Sequence, residues 1–163
     1  YVHGGVYSDL TQRLLVPVSK MVNVNKDKLV FVADKYDPAF DEREGVHNSF
    51  IAAVPKHMFI MHCINVIVRN VRDGNYGDNP LDMTGPSMLG KELHSWQDLN
   101  YRMDSVFDED KVFIRDIVSN NRLIQHKQPD HYKILGAKGT TYDVMWHDGT
   151  VFDHEIRSHM QDS

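Results

Sequence analysis

The amino-acid sequence predicts a single α/β domain built around a mixed β-sheet. Its 163 residues are an ordinary length for one domain and suffice to bury a hydrophobic core. Short apolar runs rich in β-branched residues occur beside longer segments in which apolar residues recur every three or four positions. No internal repeat and no glycine- and serine-rich linker divides the chain, so we expect residues 1–163 to fold as one unit.

Two strands are expected in the first third of the chain. Residues 5–10 predict a short strand that ends on a polar, acidic stretch, where α/β proteins place their ligands. Residues 29–33 form a continuous apolar run typical of a buried strand, and we expect the two strands to be neighbours. The charged segment 34–45, which contains a proline, predicts a solvent-exposed loop.

The clearest helix is expected over residues 55–73, where the apolar positions follow the 3.6-residue period. Pro55 suits its first turn, and Gly74 suits its end. Cys63 lies on the apolar face of this helix, so we expect a buried and inert thiol.

A second helix is expected directly after Thr84, Gly85 and Pro86. Pro86 suits its first turn and Thr84 suits its N-cap, and we expect the helix to end before residue 104. In the last third of the chain the pattern favours short strands, over residues 122–126, 132–135, 142–146 and 151–152. Asp148 and Gly149 form a dipeptide typical of a β-hairpin turn.

Composition argues against several kinds of partner. The net charge is −5 and the basic residues are not clustered, which argues against a surface that grips nucleic-acid phosphates. The longest apolar stretch, around residues 59–68, is well short of the roughly 20 residues that a transmembrane helix needs. The single cysteine cannot form an internal disulfide bond.

The 10 histidines invite comparison with zinc hydrolases. His154 and Glu155 followed by His159 resemble the H-E-x-x-H motif, but the two histidines are five positions apart instead of four. On a helix that spacing separates them by about 140° and removes them from a shared face. A metallohydrolase is kept as a less favoured alternative because of the histidine count.

Three motifs carry a more specific indication. They are GGVYSD at residues 4–9, NSFIAAVPKH at residues 48–57 and TGP at residues 84–86. Together and in this order they resemble the DXD-motif glycosyltransferases of family thirty-two, which include fungal mannosyltransferases and bacterial capsular enzymes. The similarity spans residues 3 to about 90 and depends on the order of the motifs more than on any one of them.

The resemblance implies a GT-A-like fold, incomplete at its N-terminal side, of which this chain is the central and C-terminal part. It implies transfer of a sugar from a nucleotide-sugar donor to a glycan or lipid-linked (glycolipid) hydroxyl acceptor, with retention at the anomeric carbon. Mn²⁺ or Mg²⁺ would neutralise the departing diphosphate. It also implies a cytoplasmic or Golgi membrane-associated location. We expect a strand-helix-strand segment upstream of Tyr1 and a tryptophan directly after Ser163.

The resemblance also implies roles for individual residues. The implied metal ligands are Asp9 and His159, and the implied donor-binding residues are Gly5, Tyr7, Asp9, Asn48, Thr84, Gly85, Pro86 and Ser163. Thr11 stands where the family has the second aspartate of the DXD motif, and a hydroxyl is a weaker metal ligand than a carboxylate. This departure leaves open a degenerate, non-catalytic sugar-binding or scaffold domain, and no catalytic base or nucleophile is assigned.

Overall fold

The first sheet has three antiparallel strands, in which β5 (Phe50–Ala53) lies between β1 (Gly5–Ser8) and β3 (Leu29–Val30). This architecture comes from a computed structural model that describes residues 1–34, 45–96, 101–108, 111–126 and 142–151. The prediction that β1 and β3 are direct neighbours was wrong, because β5 uses both of its edges to pair with them.

The apolar run at residues 29–33 is divided between two sheets. β3 (Leu29–Val30) pairs with β5, whereas β4 (Val32–Ala33) pairs in parallel with a strand of the second sheet. Phe31, at the break, is buried with its ring centroid 5.6 Å from that of Phe59. The expectation of one continuous strand is thereby corrected: burial of the Phe31 ring between the sheets and a helix breaks the run.

Besides β4, the second sheet contains β2 (Gln12–Leu14), β6 (Met103–Asp108), β7 (Lys111–Asp116) and β8 (Arg122–His126). The five strands lie in the order β2, β8, β7, β6, β4, and their pairs are antiparallel except for β4 with β6. Strand β8 was predicted from the sequence, whereas β6 and β7 were not. Asp104 on β6 is buried and accepts two hydrogen bonds from Arg115 on β7, at 2.8 and 3.2 Å, and such charged pairs obscure the apolar pattern of the strands.

Helix α2 (Met58–Asp73) follows a short helix α1 (Val18–Met21) and is the longest described helix. Its N-cap is His57, whose Nδ1 accepts the backbone N–H of Phe59 at 3.2 Å. Gly74 ends it with φ 63°, as predicted, but Pro55 lies outside the first turn because Lys56 has φ 56° and interrupts the helical backbone.

Helix α3 (Pro86–His94) begins at Pro86 as predicted, but its N-cap is Gly85 and not Thr84. A Cβ on Gly85 would lie 3.0 Å from the carbonyl oxygen of Leu81, so the close approach of the preceding turn explains glycine at the cap.

The predicted strand over residues 142–146 is wrong, because these residues begin helix α4 (Tyr142–His147). Trp146 Nε1 donates to the carbonyl oxygen of Tyr76 at 2.6 Å, and the Tyr76 hydroxyl donates to the carbonyl oxygen of Gly149 at 2.6 Å. Gly149 (φ 66°) ends this helix and does not form a hairpin turn. These contacts across the chain select a helix where the local pattern favours a strand. Residues 35–44, 132–135 and 152 carry other predictions and lie outside the described residues.

Two groups of buried side chains form the core. One joins the two sheets, and it contains Met21, Val22, Val30, Val32, Phe50, Ala52, Met103, Ile114, Leu123 and Ile124. The other joins α2 and α3 to the break between β3 and β4, and it contains Phe31, Val46, Phe59, Cys63 and Leu93. The α/β class predicted from the sequence is confirmed. In the described part of the chain, every helix is too short or too polar to cross a membrane.

Candidate functional site

Asp9 lies directly after β1, at the point where the chain passes from the first sheet to the second. Its backbone N–H donates to the carbonyl oxygen of Ser49 at 3.0 Å, and its carbonyl oxygen accepts the N–H of Gln12 at 3.1 Å. The second bond closes a tight turn over residues 9–12, and the first ties Asp9 to the segment before β5. Together they hold the half-buried Asp9 side chain at the end of the strand.

Tyr7 and Asp9 form a polar pair at this strand end. The Tyr7 hydroxyl donates to Asp9 Oδ1 at 2.5 Å, and this hydrogen bond raises the pKa of Tyr7. Tyr7 is exposed, so the pair is open to solvent. The structure thus brings together two of the residues that the family resemblance assigns to the donor site.

The middle of the turn is exposed and carries no second carboxylate. Leu10 is 96% exposed, and Thr11, at the second DXD position, is also exposed. Neither side chain is buried against the domain.

A set of five side chains beside Asp9, which we call the serine–histidine network, consists of Ser8, Gln12, His47, Ser49 and His126. Ser8 Oγ donates to Gln12 Oε1 at 2.6 Å, and Gln12 Nε2 donates to Ser49 Oγ at 2.5 Å. Ser49 Oγ lies 2.6 Å from His47 Nδ1 and 3.3 Å from His126 Nε2. Gln12 Nε2 lies 3.3 Å from the same His126 nitrogen. The network connects the ends of β1 and β8 with the segment before β5.

The two imidazoles of this network face each other edge to face, with ring centroids 4.9 Å apart. Burial lowers the pKa of His47, while Asp34 and Asp9 act in the opposite direction. Burial also lowers the pKa of His126, with a further decrease from His47 and an opposing effect of Asp9 and Asp34. Both histidines are therefore predominantly neutral at neutral pH.

Asp34 is the second carboxylate of this region and follows β4 in the second sheet. Its Oδ1 accepts a hydrogen bond from Ser105 Oγ at 2.9 Å. Asp9 and Asp34 thus come from strand ends of different sheets, yet both act electrostatically on His47 and His126. This end of the molecule combines two carboxylates with neutral hydrogen-bonding side chains.

Asn48 is exposed between the two network residues His47 and Ser49. It precedes β5, where the sequence predicted a polar residue ahead of an apolar strand.

Gly4 and Gly5 lie at the other end of β1 from Asp9. A Cβ on Gly4 would lie 2.6 Å from the backbone nitrogen of Pro55, whereas Gly5, with φ 123°, has open space around it. Gly5 and Tyr7 line an apolar cavity of about 330 Å³, together with Ile51 and Ile60. The cavity reaches the candidate site through Tyr7, which is common to both.

The loop of Thr84, Gly85 and Pro86 is held through α2. Asn70 near the C-terminal end of α2 donates from Nδ2 to the carbonyl oxygen of Met83 at 2.8 Å. Asn70 thus ties the residue before the loop to α2, whereas the hydrogen bonds described above for Asp9 are made by other residues.

Of the two implied metal ligands, Asp9 lies in the described part of the chain and His159 does not. Within the described ranges, no three His, Cys, Asp or Glu side chains are grouped so that they could hold a metal ion. His159 and Ser163 lie outside the described residues. Of the implied ligands, Asp9 is therefore the one whose surroundings are known.

The sequence patterns did not identify Gln12, His47, Ser49 and His126 as site residues. Ser49 lies in the NSFIAAVPKH motif but was given no role, and the other three residues belong to none of the motifs. His126 is 114 positions from Gln12. The register of β2 with β8, which pairs Gln12 with His126, brings them together. The nearest local signal is that Gln12 follows Thr11, the altered second position of the DXD motif.

Comparison of the chain with protein-family models, with curated proteins and with solved structures finds no match.

Proposed function

We propose that the chain is part of a GT-A-like glycosyltransferase, which transfers a sugar from a nucleotide-sugar donor to the hydroxyl group of a glycan or glycolipid. The observation that carries the proposal is the arrangement at the end of β1. Asp9 is paired with Tyr7 there, beside neutral histidine and serine side chains. The order of the three sequence motifs supports the same interpretation.

The chemistry of this region suits a ligand rich in hydroxyl groups. Sugar hydroxyls both donate and accept hydrogen bonds, and the carboxylate of Asp9 is a strong acceptor. The exposed Asn48 offers both an amide donor and a carbonyl acceptor beside it. Asp9 and Asn48 are accordingly proposed to contact the donor sugar or ribose, with Tyr7 orienting the Asp9 carboxylate.

The remaining donor contacts are proposed for Gly5 and for the loop of Thr84, Gly85 and Pro86. Pro86 has no N–H group, and the N–H groups of Gly85 and Met88 donate to the carbonyl oxygen of Leu81, at 3.2 and 3.3 Å. The loop is therefore proposed to contact hydroxyl groups of the donor, with Thr84 as its polar side chain. Ser163, which lies outside the described residues, is proposed to close over the diphosphate.

A divalent cation is part of the proposal, but the described side chains do not complete a site for it. Asp9 supplies one carboxylate, of which Oδ1 already accepts the Tyr7 hydroxyl. Mn²⁺ or Mg²⁺ would bind Asp9 together with His159 and neutralise the leaving diphosphate.

A non-catalytic sugar-binding domain is the second candidate, and Thr11 favours it. The second carboxylate of the motif is missing, and the exposed Thr11 hydroxyl replaces it only as a weak, neutral ligand. Such a domain would bind the same donor without turnover.

The test is a panel of UDP- and GDP-sugars presented to the full-length protein with Mn²⁺. Donor binding is measured by calorimetry and donor turnover by release of the nucleoside diphosphate. Asp9→Asn removes the carboxylate charge at the same size, and we expect it to lower donor affinity by about tenfold or more, as for loss of a charge-assisted contact. The matched control is Asp73→Asn, an exposed aspartate at the end of α2, which we expect to leave affinity unchanged.

The outcomes separate the candidates. Turnover that Asp9→Asn abolishes supports the transferase, and tight binding with no turnover supports the sugar-binding domain. If no donor binds, or if Asp9→Asn and Asp73→Asn behave alike, both are wrong.

A further inference from the structure

Ser49 Oγ is the centre of the serine–histidine network, and it has a single proton to donate. Ser49 is 3% exposed, and its hydroxyl lies within 2.6 Å of both Gln12 Nε2 and His47 Nδ1. Because the hydroxyl accepts an N–H from Gln12, its own proton is available to His47 Nδ1. A nitrogen that accepts a hydrogen bond carries no proton, so the proton of a neutral His47 is on Nε2.

The amide of Gln12 assigns the other histidine in the same way. Gln12 Oε1 accepts the hydroxyl of Ser8 at 2.6 Å, and the NH₂ group faces Ser49 and His126. One N–H is donated to Ser49 Oγ, and the other faces His126 Nε2 at 3.3 Å. Nε2 of His126 is thus an acceptor, and the proton of a neutral His126 is on Nδ1.

We propose that Gln12 and Ser49 hold His47 and His126 as neutral imidazoles of opposite tautomer. His47 carries its proton on Nε2 and His126 carries its proton on Nδ1. In both rings the network uses the unprotonated nitrogen, so each ring has one N–H group that is not engaged in the network. These two N–H groups act as hydrogen-bond donors to oxygen atoms of the ligand.

This assignment makes Gln12 a positioning residue and gives the histidine pair a defined chemistry. A metal ion binds the lone pair of an unprotonated imidazole nitrogen, and here both such lone pairs are occupied by hydrogen bonds. His47 and His126 therefore recognise hydroxyl or phosphate oxygens and do not recruit a transition metal. That these imidazole N–H groups bind a sugar or a phosphate rests on the proposed function. The assignment of the two tautomers does not depend on it.

The primary test is long-range ¹H–¹⁵N NMR of the imidazole rings in the ¹⁵N-labelled full-length protein at neutral pH. The unprotonated ring nitrogen resonates far downfield of the protonated one, so each tautomer has its own pattern. We expect a protonated Nε2 for His47 and a protonated Nδ1 for His126. A protonated Nδ1 on His47, or a protonated Nε2 on His126, would overturn the proposal.

Gln12→Glu tests the role of the amide, because a carboxylate can only accept hydrogen bonds. Ser49 would then donate to Glu, His47 would donate to Ser49 from Nδ1, and His126 would donate to Glu from Nε2. We expect both tautomers to invert in this variant. The matched control is Gln125→Glu, at the neighbouring position of β8, which we expect to leave both ring patterns unchanged. If Gln12→Glu leaves the wild-type pattern in place, Gln12 does not set the tautomers.

The ligand step is tested on the same spectra. Addition of the donor nucleotide-sugar, and separately of inorganic phosphate, should shift the ¹H–¹⁵N resonances of His47 Nε2 and His126 Nδ1, whereas Zn²⁺ at equal concentration should not. A Zn²⁺-induced shift of the unprotonated nitrogens would contradict the proposal. Correct tautomers with no response to the donor or to phosphate would reject the ligand step and leave the tautomer assignment intact.

Discussion

Burial suppresses the reactivity of Cys63. The thiol lies on the inner face of α2 within the second core group, and burial raises its pKa to about 12. The thiolate is the reactive form, so little nucleophile is present at ordinary pH. Cys63 contributes to packing, as its position in the helix predicted.

We expect alkylation of Cys63 by iodoacetamide at pH 8 to require unfolding. The native protein should remain unlabelled over a period in which the protein in concentrated urea is fully labelled. Intact-mass spectrometry measures the modification, and free cysteine of normal reactivity is the reference. Labelling of the native protein at the same rate as the unfolded chain would show that the thiol is accessible.

At the level of residues, the sequence placed Asp9 at the end of the first strand and Asn48 ahead of an apolar strand, and the structure has them directly after β1 and before β5. The sequence did not indicate the residues of the serine–histidine network. Gln12 and His126 are 114 positions apart and meet only through the register of β2 with β8. A single sequence contains no local signal of that pairing, because register depends on the complete sheet.

Among the elements, the connection from Tyr1 into β1 depends on the close approach of Gly4 to the segment after β5. Gly4 has φ 65°, and a Cβ there would lie 2.6 Å from the nitrogen of Pro55 and 2.7 Å from the carbonyl oxygen of Ala53. Gly149, at the end of α4, has nearly the same φ of 66° but open space around it. Adding a Cβ at each of the two positions therefore distinguishes the cost of a left-handed backbone, which both share, from the cost of steric overlap, which arises only at Gly4.

We expect Gly4→Ala to destabilise the protein more than Gly149→Ala. Alanine in the left-handed region costs about 1–2 kcal/mol at either position, and overlap with rigid backbone atoms adds to this only at Gly4. Urea denaturation followed by circular dichroism measures both free energies of unfolding. Equal losses would mean that the backbone around Gly4 moves aside without cost.

The two segments whose secondary structure was wrongly expected from the sequence share a physical cause. Residues 29–33 were expected as one strand and 142–146 as another, because both runs are apolar. The structure divides the first run at Phe31, and it makes the second helical by docking Trp146 onto Tyr76. Tertiary contacts therefore determine the secondary structure of both segments. The extent of α2, by contrast, follows from local signals, which are its periodic apolar pattern and Gly74 at its end.

Across the whole molecule, the half-buried pair of His47 and His126 makes stability depend on pH. The pKa values of His47 and His126 are lowered below 6.5 by burial, so the unfolded chain binds protons more readily than the folded protein. Above pH 6.5 both histidines are largely neutral in the folded and in the unfolded protein, so their lowered pKa values do not reduce the free energy of unfolding there. Stability falls as the pH decreases from 6.5 towards the lowered values of the folded protein.

We expect the free energy of unfolding to be nearly constant between pH 8 and 7 and to decrease between about pH 6.5 and 5. Urea titrations at each pH measure it. His126→Gln should reduce this decrease, and His94→Gln, at an exposed histidine of α3, should not. Aspartates with lowered pKa, such as Asp116, lose their stabilising effect only below their ordinary value of 3.8 and so fall outside this range. An unchanged slope in His126→Gln would contradict the assignment.

The turn at residues 9–12 has a mechanical consequence for the domain. Ser8 belongs to β1 of the first sheet, and Ser49 directly precedes β5 of the same sheet. Gln12 and His126 belong to β2 and β8 of the second sheet, and hydrogen bonds from Gln12 join it to both serines. A ligand held by this group would fasten the two sheets to each other at their common end. Binding would then slow hydrogen exchange of backbone amides in β2 and β8 together with those in β1 and β5, so that the two sheets open as one cooperative unit.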